Sequence, residues 1–202
     1  MNEERPIVFV IDDDVRIQKA LSNLISSAGF RVATYGSASE FLDSEKPDSP
    51  GCLILDLNLP GISGLELQEQ LAGEAYPIVF ITGHGDIPSS VRAMKAGAVE
   101  FLQKPFKDDA LLRAIDSAVA IDRVDRQKKS ELAELRKRYV LLTPREREVL
   151  PFVASGMLNK QTAATLGTTE ITIAVHRGQI MRKMGARSLA ELVRFAVKLG
   201  IL

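Results

Sequence analysis

Five side chains of this chain have the types and placements that phosphate chemistry uses: Asp12, Asp13, Asp56, Thr82 and Lys104. Each stands at the end of a strand-like run: "IVFVI" (7–11) leads into Asp12-Asp13-Asp14, "CLIL" into Asp56, "IVFI" into Thr82 and the mixed "VEFLQ" into Lys104-Pro105. Carboxylates crowded at the mouth of a buried strand repel one another and lose hydration. The cluster therefore calls for an offsetting charge, and a divalent cation is the usual one. Three carboxylates suit Mg2+, which takes a few carboxylate oxygens, waters and a phosphate oxygen. A lysine binds phosphate as a point charge, a threonine hydroxyl can donate to a phosphoryl oxygen, and an aspartate can take a phosphoryl group covalently. Taken singly, each residue has a plainer reading. A strand-end aspartate often caps the next helix, as Asp14 would before Val15, and a lone Lys104 is ordinarily a surface side chain.

Those residues share one crevice only if the strands lie side by side and parallel. The sequence predicts that arrangement. "IVFVI" (7–11), "RVATY" (31–35), "CLILD" (52–56), "IVFIT" (78–82) and "VEFLQK" (99–104) read as five strands. Between them run helical spacings: Val15, Ile17, Leu21, Leu24 and Ile25; Phe41 and Leu42; Leu65, Leu67 and Leu71; Val91, Met94 and Ala98. Strand–helix alternation of this kind means βαβ units, a parallel sheet and helices on both faces. The first, third and fourth runs lack polar alternation and should be central, whereas "RVATY" should lie at an edge. In such sheets ligands bind beyond the carboxyl ends of the strands.

From Lys107 a helical pattern continues for more than thirty residues without Pro or Gly. Leu111, Leu112, Ile115 and Val119 make its first half fit to pack on the sheet, and the charged second half reads as a solvated connector. A paired coiled coil is a further possibility, but the apolar repeat is short for one. At "LTPRERE" a new start signal appears, with Thr143 as N-cap, Pro144 in the first turn and Glu146 completing a capping box. Four short helices are predicted, at about 144–155, 159–166, 169–184 and 188–199, with the short turns of a helix-turn-helix module.

With 202 residues the chain has room for one large or two small domains. Its zero formal charge hides a gradient: residues 1–107 carry −6, residues 108–142 carry +1 and residues 143–202 carry +5. An acidic front and a basic tail imply two modules, the second facing a polyanion. No apolar run approaches the roughly 18–20 residues of a membrane span, and "MNEERP" carries no apolar signal region, so a cytoplasmic chain without a membrane partner is expected. The single cysteine, Cys52, lies inside an apolar run and reads as buried and inert.

On the helix predicted at 169–184, Ile173, Ile180 and Met184 form a core stripe with His176 half-buried beside it. The opposite face presents Thr172, Val175, Arg177, Gln179, Arg182 and Lys183, a distribution that fits a major groove of double-stranded DNA. Val175 would touch a thymine methyl, while Thr172 and Gln179 would bond base edges or phosphates. Lys160, Arg182 and Lys183 would hold phosphates, which gives affinity without sequence information.

The segments "VIDDD" (10–14), "LILDLNLPGISGLEL" (53–67), "VFITGHGD" (79–86), "MKAGAVEFLQKPF" (94–106), "LTPREREVL" (142–150), "NKQTAATLG" (159–167) and "VHRGQIMRKMGARS" (175–188) together span nearly the whole chain. In order and spacing they resemble the two-component response regulators of the FixJ/NarL group, with a LuxR-type DNA-binding domain. The resemblance implies a doubly wound α/β receiver with a five-stranded parallel sheet in the flavodoxin-like order 2-1-3-4-5 over residues 1–121. A helical linker over 122–141 and an all-α four-helix helix-turn-helix domain over 142–202 would follow. It implies that Asp56 accepts a phosphoryl group from a sensor histidine kinase. Asp13, Asp56 and the main-chain carbonyl of Asn58 would bind Mg2+ directly, with Asp12 acting through water. Thr82 would move to the phosphoryl oxygens, Lys104 would neutralise one of them, and the Lys104–Pro105 bond would be cis. Phe101 would turn inward as an aromatic switch, while Asn58 and His84 would tune phosphoryl lifetime. Phosphorylation would favour a homodimer acting on DNA and, through it, on the transcription machinery.

Left to themselves, Phe101 reads as core and His84 as a solvated loop residue. Ile171 and Ala174 stand where relatives often carry Lys or Arg, so a single half-site should bind weakly and linkage of two should matter. Two other functions compete with a phosphorylation-switched, non-enzymatic regulator. One is a DNA binder indifferent to phosphorylation. The other is a Mg2+-dependent aspartyl-phosphate phosphohydrolase, disfavoured because such enzymes usually place their nucleophile in a D-x-D pattern at the first strand.

Overall fold

The computed structural model describes residues 5–71, 73, 76–83 and 87–202. They divide into two compact units, one ending at Arg126 and the other beginning at Gln127. In the first, strands β1 (Ile7–Ile11), β2 (Arg31–Tyr35), β3 (Gly51–Asp56), β4 (Ile78–Thr82) and β5 (Glu100–Gln103) pair in parallel in the order β2-β1-β3-β4-β5. Helices α1 (Val15–Ser27), α2 (Ala38–Asp43), α3 (Gly64–Gln70), α4 (Ile87–Lys95) and the start of α5 (Asp108–Val140) complete the βα alternation. Every residue of β1, β3 and β4 is buried, as unbroken apolar runs require, while edge strand β2 alternates between exposed and half-buried positions.

Successive side chains of a strand point to opposite faces, so each central strand feeds two cores. Phe9, Ile11, Leu53, Leu55 and Phe80 pack with Phe41 of α2 and Leu67 of α3. Val8, Val10, Ile54, Val79 and Ile81 pack with Leu21 and Ile25 of α1 and Leu111 and Ile115 of α5. Each fully buried side chain of this size contributes about 1.5–3 kcal/mol. Local chemistry sets the helix starts: the Asp14 carboxylate accepts from Arg16 N at 2.8 Å and caps α1, and Ser63 with Glu66 forms a capping box on α3.

Two predicted apolar faces are only partly used. Val15 is 71% exposed, and Val91 and Met94 of α4 are each 45% exposed, leaving Ala93 as that helix's buried residue. Ala93 is the α4 residue that joins the core beside Phe80 and Leu55.

The second unit contains α6 (Pro144–Ala154), α7 (Asn159–Leu166), α8 (Glu170–Met184) and α9 (Leu189–Lys198) around Val149, Leu150, Val153, Ile173, Ile180, Met184 and Leu192. Thr143 and Glu146 cap α6 as expected. Gly167 (φ 63°) and Gly185 (φ 69°) end α7 and α8 in the left-handed conformation that glycine adopts without strain. The last turns of α5 belong to this unit and are not a bare connector. Leu135 is buried, Tyr139 packs on the core, Glu131 pairs with Lys198 at 2.7 Å, and Arg138 Nη1 donates to Met184 O at 3.3 Å. No described helix is long and apolar enough to cross a membrane.

Candidate functional site

The β1, β3, β4 and β5 ends bring the predicted residues together. Carboxylate oxygens of Asp12, Asp13 and Asp56 lie within 4.8 Å of one another. Asp12 is fully buried: its Oδ2 accepts from Lys104 Nζ at 2.6 Å and its Oδ1 from Asp14 N at 2.9 Å. Asp56, also buried, accepts from the same Lys104 Nζ at 2.9 Å and from Asn58 N at 3.2 Å. Lys104 is aimed by the chain around it. Its N–H donates to Thr82 O at 2.7 Å, carrying the β4–β5 ladder past the last strand residue, and its bond to Pro105 is cis. Gly64 is required by the same packing, because a Cβ there would stand 2.4 Å from Asp56 O.

Thr82 is buried, with Oγ1 3.5 Å from Asn58 Nδ2. Phe101 is half-buried on β5, its ring centroid 6.2 Å from that of Phe80. His84 lies outside the described residues. The Asp13 carboxylate is exposed and makes no hydrogen bond to any described residue.

Three acids thus cluster where one lysine bonds two of them. Burial pushes the Asp12 carboxyl above its ordinary value, against the Lys104 and Asp14 hydrogen bonds that lower it. Burial alone would lower the Lys104 ammonium, but its bonds to Asp12 and Asp56 outweigh that and the net shift is upward. The residual negative charge and an all-oxygen donor set fit a hard divalent cation. Asp14, by contrast, is committed to its cap: its bonds from Arg16 hold it down at about 2.

Sequence reasoning missed one neighbour. The Gln18 amide on α1 donates to Asp12 O at 2.6 Å and to Tyr35 O at 3.3 Å. Nothing in the sequence distinguishes it from any polar residue on a helix surface.

In the second unit α7, the Gly167 turn and α8 form the helix-turn-helix. Its core stripe is as predicted, with Ile173, Ile180 and Met184 fully buried. Lys160 is exposed at the second position of α7, Val175 is 56% exposed, and Arg177 is half-buried. Thr172 Oγ1 lies 2.8 Å from Thr169 Oγ1 at the α8 cap, and Arg182 Nη2 donates to Gln179 Oε1 at 2.5 Å. Ile171 (78% exposed) and Ala174 share this outer face. Lys183 differs from the rest: its ammonium bonds both oxygens of Glu146, at 2.7 and 3.0 Å, and Glu146 is buried. Burial alone would raise the Glu146 carboxyl, but the bonds from Lys183 and Thr143 N hold it below its ordinary value. The sequence showed Glu146 as a cap and could not show that it pairs with a residue 37 positions away.

Comparison with known proteins agrees with both halves. Residues 8–116 match the response regulator receiver domain, and residues 140–196 match the luxR family of bacterial regulatory proteins. Nodulation protein W of Bradyrhizobium diazoefficiens is 50% identical over 98% of this chain and 88% of its own length. The transcriptional regulatory protein FixJ of the same organism is 40% identical over 96% of each chain. Among solved structures, the response regulator StyR superposes with a TM-score of 0.84 at 49% identity, covering 96% of this chain and 99% of that one. Full-length FixJ from B. japonicum superposes with a TM-score of 0.57 at 40% identity, covering 97% and 98%. An acidic crevice at the strand ends of one unit and a helix-turn-helix in the other are the two working parts of such proteins, and this chain belongs to the FixJ/NarL family of DNA-binding response regulators.

Proposed function

We propose that Asp56 is the phosphoacceptor through which a sensor histidine kinase controls this transcriptional regulator. The observation that carries the reading is the charge count of the crevice: three carboxylates have oxygens within 4.8 Å of one another, and Lys104 bridges two of them, Asp12 and Asp56, leaving Asp13 without a described partner. In the transfer step an Asp56 carboxylate oxygen attacks the phosphorus of a phosphohistidine, and the imidazole nitrogen leaves with the bonding pair. Mg2+ would be held by Asp13, Asp56 and the Asn58 main-chain carbonyl, with Asp12 acting through water. When bound, it supplies positive charge against the transferring oxygens. Lys104 neutralises one phosphoryl oxygen, Thr82 donates to another, and Asn58 and His84 set how long the acyl phosphate lasts.

The added phosphoryl group brings about −1.5 to −2 charges by analogy with other phosphorylated side chains. Drawing Thr82 and Lys104 onto it releases the Lys104 bridge, and Phe101, which shares a core with Phe80 and Leu55, turns inward. The α4 side chains Ile87, Val91 and Met94, exposed at 80%, 45% and 45%, supply apolar area for a homodimer formed on phosphorylation. Two helix-turn-helix modules then gain affinity by linkage on paired half-sites. At each, Thr172, Val175, Arg177 and Gln179 face the groove, and Lys160 and Arg182 face phosphates. Lys183 reaches the DNA only by leaving Glu146. Residues 1–121, 122–141 and 142–202 serve as receiver, helical linker and DNA-binding domain of a cytoplasmic regulator that carries out no enzymatic turnover of its own.

The test is labelling by acetyl phosphate and Mg2+, for the natural chain and for Asp56→Asn. Complete loss of label in a variant that still folds is expected. Equal labelling of the two moves the phosphoacceptor elsewhere, and rapid turnover of phosphate esters would make the chain a phosphohydrolase.

A further inference from the structure

Asp12 and Asp56 are each fastened twice, by Lys104 on one carboxylate oxygen and by a main-chain N–H on the other. Asp13 has no such fastening among the described residues, yet its oxygen lies within 4.8 Å of theirs. Its backbone therefore sets where the side chain starts, and no bond to a described residue fixes it further. Asp13 is the second residue past β1, and the peptide that carries its N–H carries the Asp12 carbonyl on its other side. That carbonyl accepts the Gln18 amide at 2.6 Å.

Gln18 is well placed to hold it. Its own N–H donates to Asp14 O at 3.0 Å, which fixes it in the first turn of α1. From there the side chain reaches back over the strand ends, and the same amide nitrogen lies 3.3 Å from Tyr35 O, the last carbonyl of β2. Asp12 N donates to that Tyr35 carbonyl at 3.2 Å. One –NH2 group, which has two donors, thus ties the exits of β1 and β2 to α1. A plain backbone-satisfying role would account for the bonds, but it would leave unexplained how an unpartnered Asp13 is held in register with two acids that are pinned.

We propose that Gln18 is the positioning residue of Asp13: by clamping the Asp12–Asp13 peptide, it presets the Asp13 carboxylate for the divalent cation. The inference rests on the reading of the crevice as a cation site. Outer partners of metal ligands commonly contribute about 10–100-fold in metal affinity, and Gln18 acts one bond further out, through the main chain.

The test is calorimetric titration of the full chain with Mg2+ alone, without phosphodonor. The variants are Gln18→Met, which keeps bulk and removes both donors, and Gln18→Arg, which keeps donors. Each is first shown to melt cooperatively, and Gln18→Leu replaces the Met variant if that one does not fold. Gln18→Met is expected to bind Mg2+ about tenfold more weakly while labelling by acetyl phosphate at saturating Mg2+ keeps its maximal rate, and Gln18→Arg is expected to restore affinity. In an Asp13→Ala background Gln18→Met should cost nothing further. Affinity unchanged in Gln18→Met, no rescue by Arg, or an equal loss in the Asp13→Ala background each overturns the proposal. If the natural chain itself takes no Mg2+, the cation reading of the crevice fails, and the inference fails with it.

Discussion

Among the described residues two lysines, Lys104 and Lys183, make shielded contacts with carboxylates, and the two sites are built on opposite plans. In the second unit Lys183 meets Glu146 one to one, and the carboxylate also closes a helix cap. In the first, Lys104 is divided between Asp12 and Asp56 while Asp13 stands by without a described partner. Breaking a buried ion pair leaves an uncompensated charge and destabilises strongly. A balanced pair is therefore a fixture. An unbalanced cluster has an unmet demand for positive charge, which an incoming cation can satisfy and a phosphoryl group can redistribute. A lysine bonding an acid marks a working site only when the charges around it do not close.

Removing each lysine should separate the two plans most sharply. Lys104→Met is expected to destabilise the first unit by about 3–5 kcal/mol in the absence of metal, with Mg2+ restoring part of the loss. Chemical denaturation with and without Mg2+ measures both quantities. Lys183→Met should destabilise the second unit by about 3 kcal/mol, the low end because Lys183 keeps 23% of its side-chain exposure, and Mg2+ should restore nothing. If the Lys183 variant folds normally but loses a phosphate contact, seen as a DNA-binding salt slope shallower by about one, then Lys183 faces DNA and the pair with Glu146 is incidental.

A smaller effect distinguishes the two by pH. Glu146 is held below its ordinary value of 4.5, so its contribution is complete above that value and is lost as pH falls through the folded value. Asp12 is raised above 3.8, so its contribution is complete below 3.8 and is lost as pH rises through the folded value. As pH rises the two contributions should therefore run in opposite senses, that of Glu146 growing and that of Asp12 shrinking, each read as the difference between melts of the natural chain and of Glu146→Gln or Asp12→Asn. The Arg92–Glu69 pair on α4 and α3 supplies the baseline. At 60% and 59% exposure, Arg92→Ala should cost no more than about 0.5 kcal/mol.

Much of this was legible before any coordinates. The strand runs "IVFVI" and "IVFIT" coincide with β1 and β4, because short apolar runs alternating with helical spacings suit strands covered on both faces. In the second unit Thr143 marked the start of α6, and the structure shows Gly167, Gly185 and Ser188 bounding the later helices by preferences that also act locally. Thr82, Lys104 and the three acids could be placed together because the parallel sheet lays its strand ends along one edge. What escaped depends on contacts between distant residues. Periodicity put Val91 and Met94 on an apolar face but could not say that Ala93 would be the buried residue of α4. Charge density made the end of α5 look solvated, although Leu135 is buried and Arg138 reaches the end of α8. Lys183 looked like a phosphate ligand because its partner lies 37 residues away, and Gln18 looked like solvent-facing helix.

The central claim, that phosphoryl chemistry at the unbalanced cluster governs the DNA-binding half, is tested most directly by measuring two quantities on the same samples. Phosphoryl occupancy of the Asp56 peptide is followed by mass spectrometry across an acetyl phosphate titration, and DNA affinity by footprinting on sites selected by the chain itself. Such control requires affinity and dimer fraction to rise together with occupancy and Asp56→Asn to stay at the unphosphorylated level throughout. Affinity that stays flat from empty to full occupancy would contradict it.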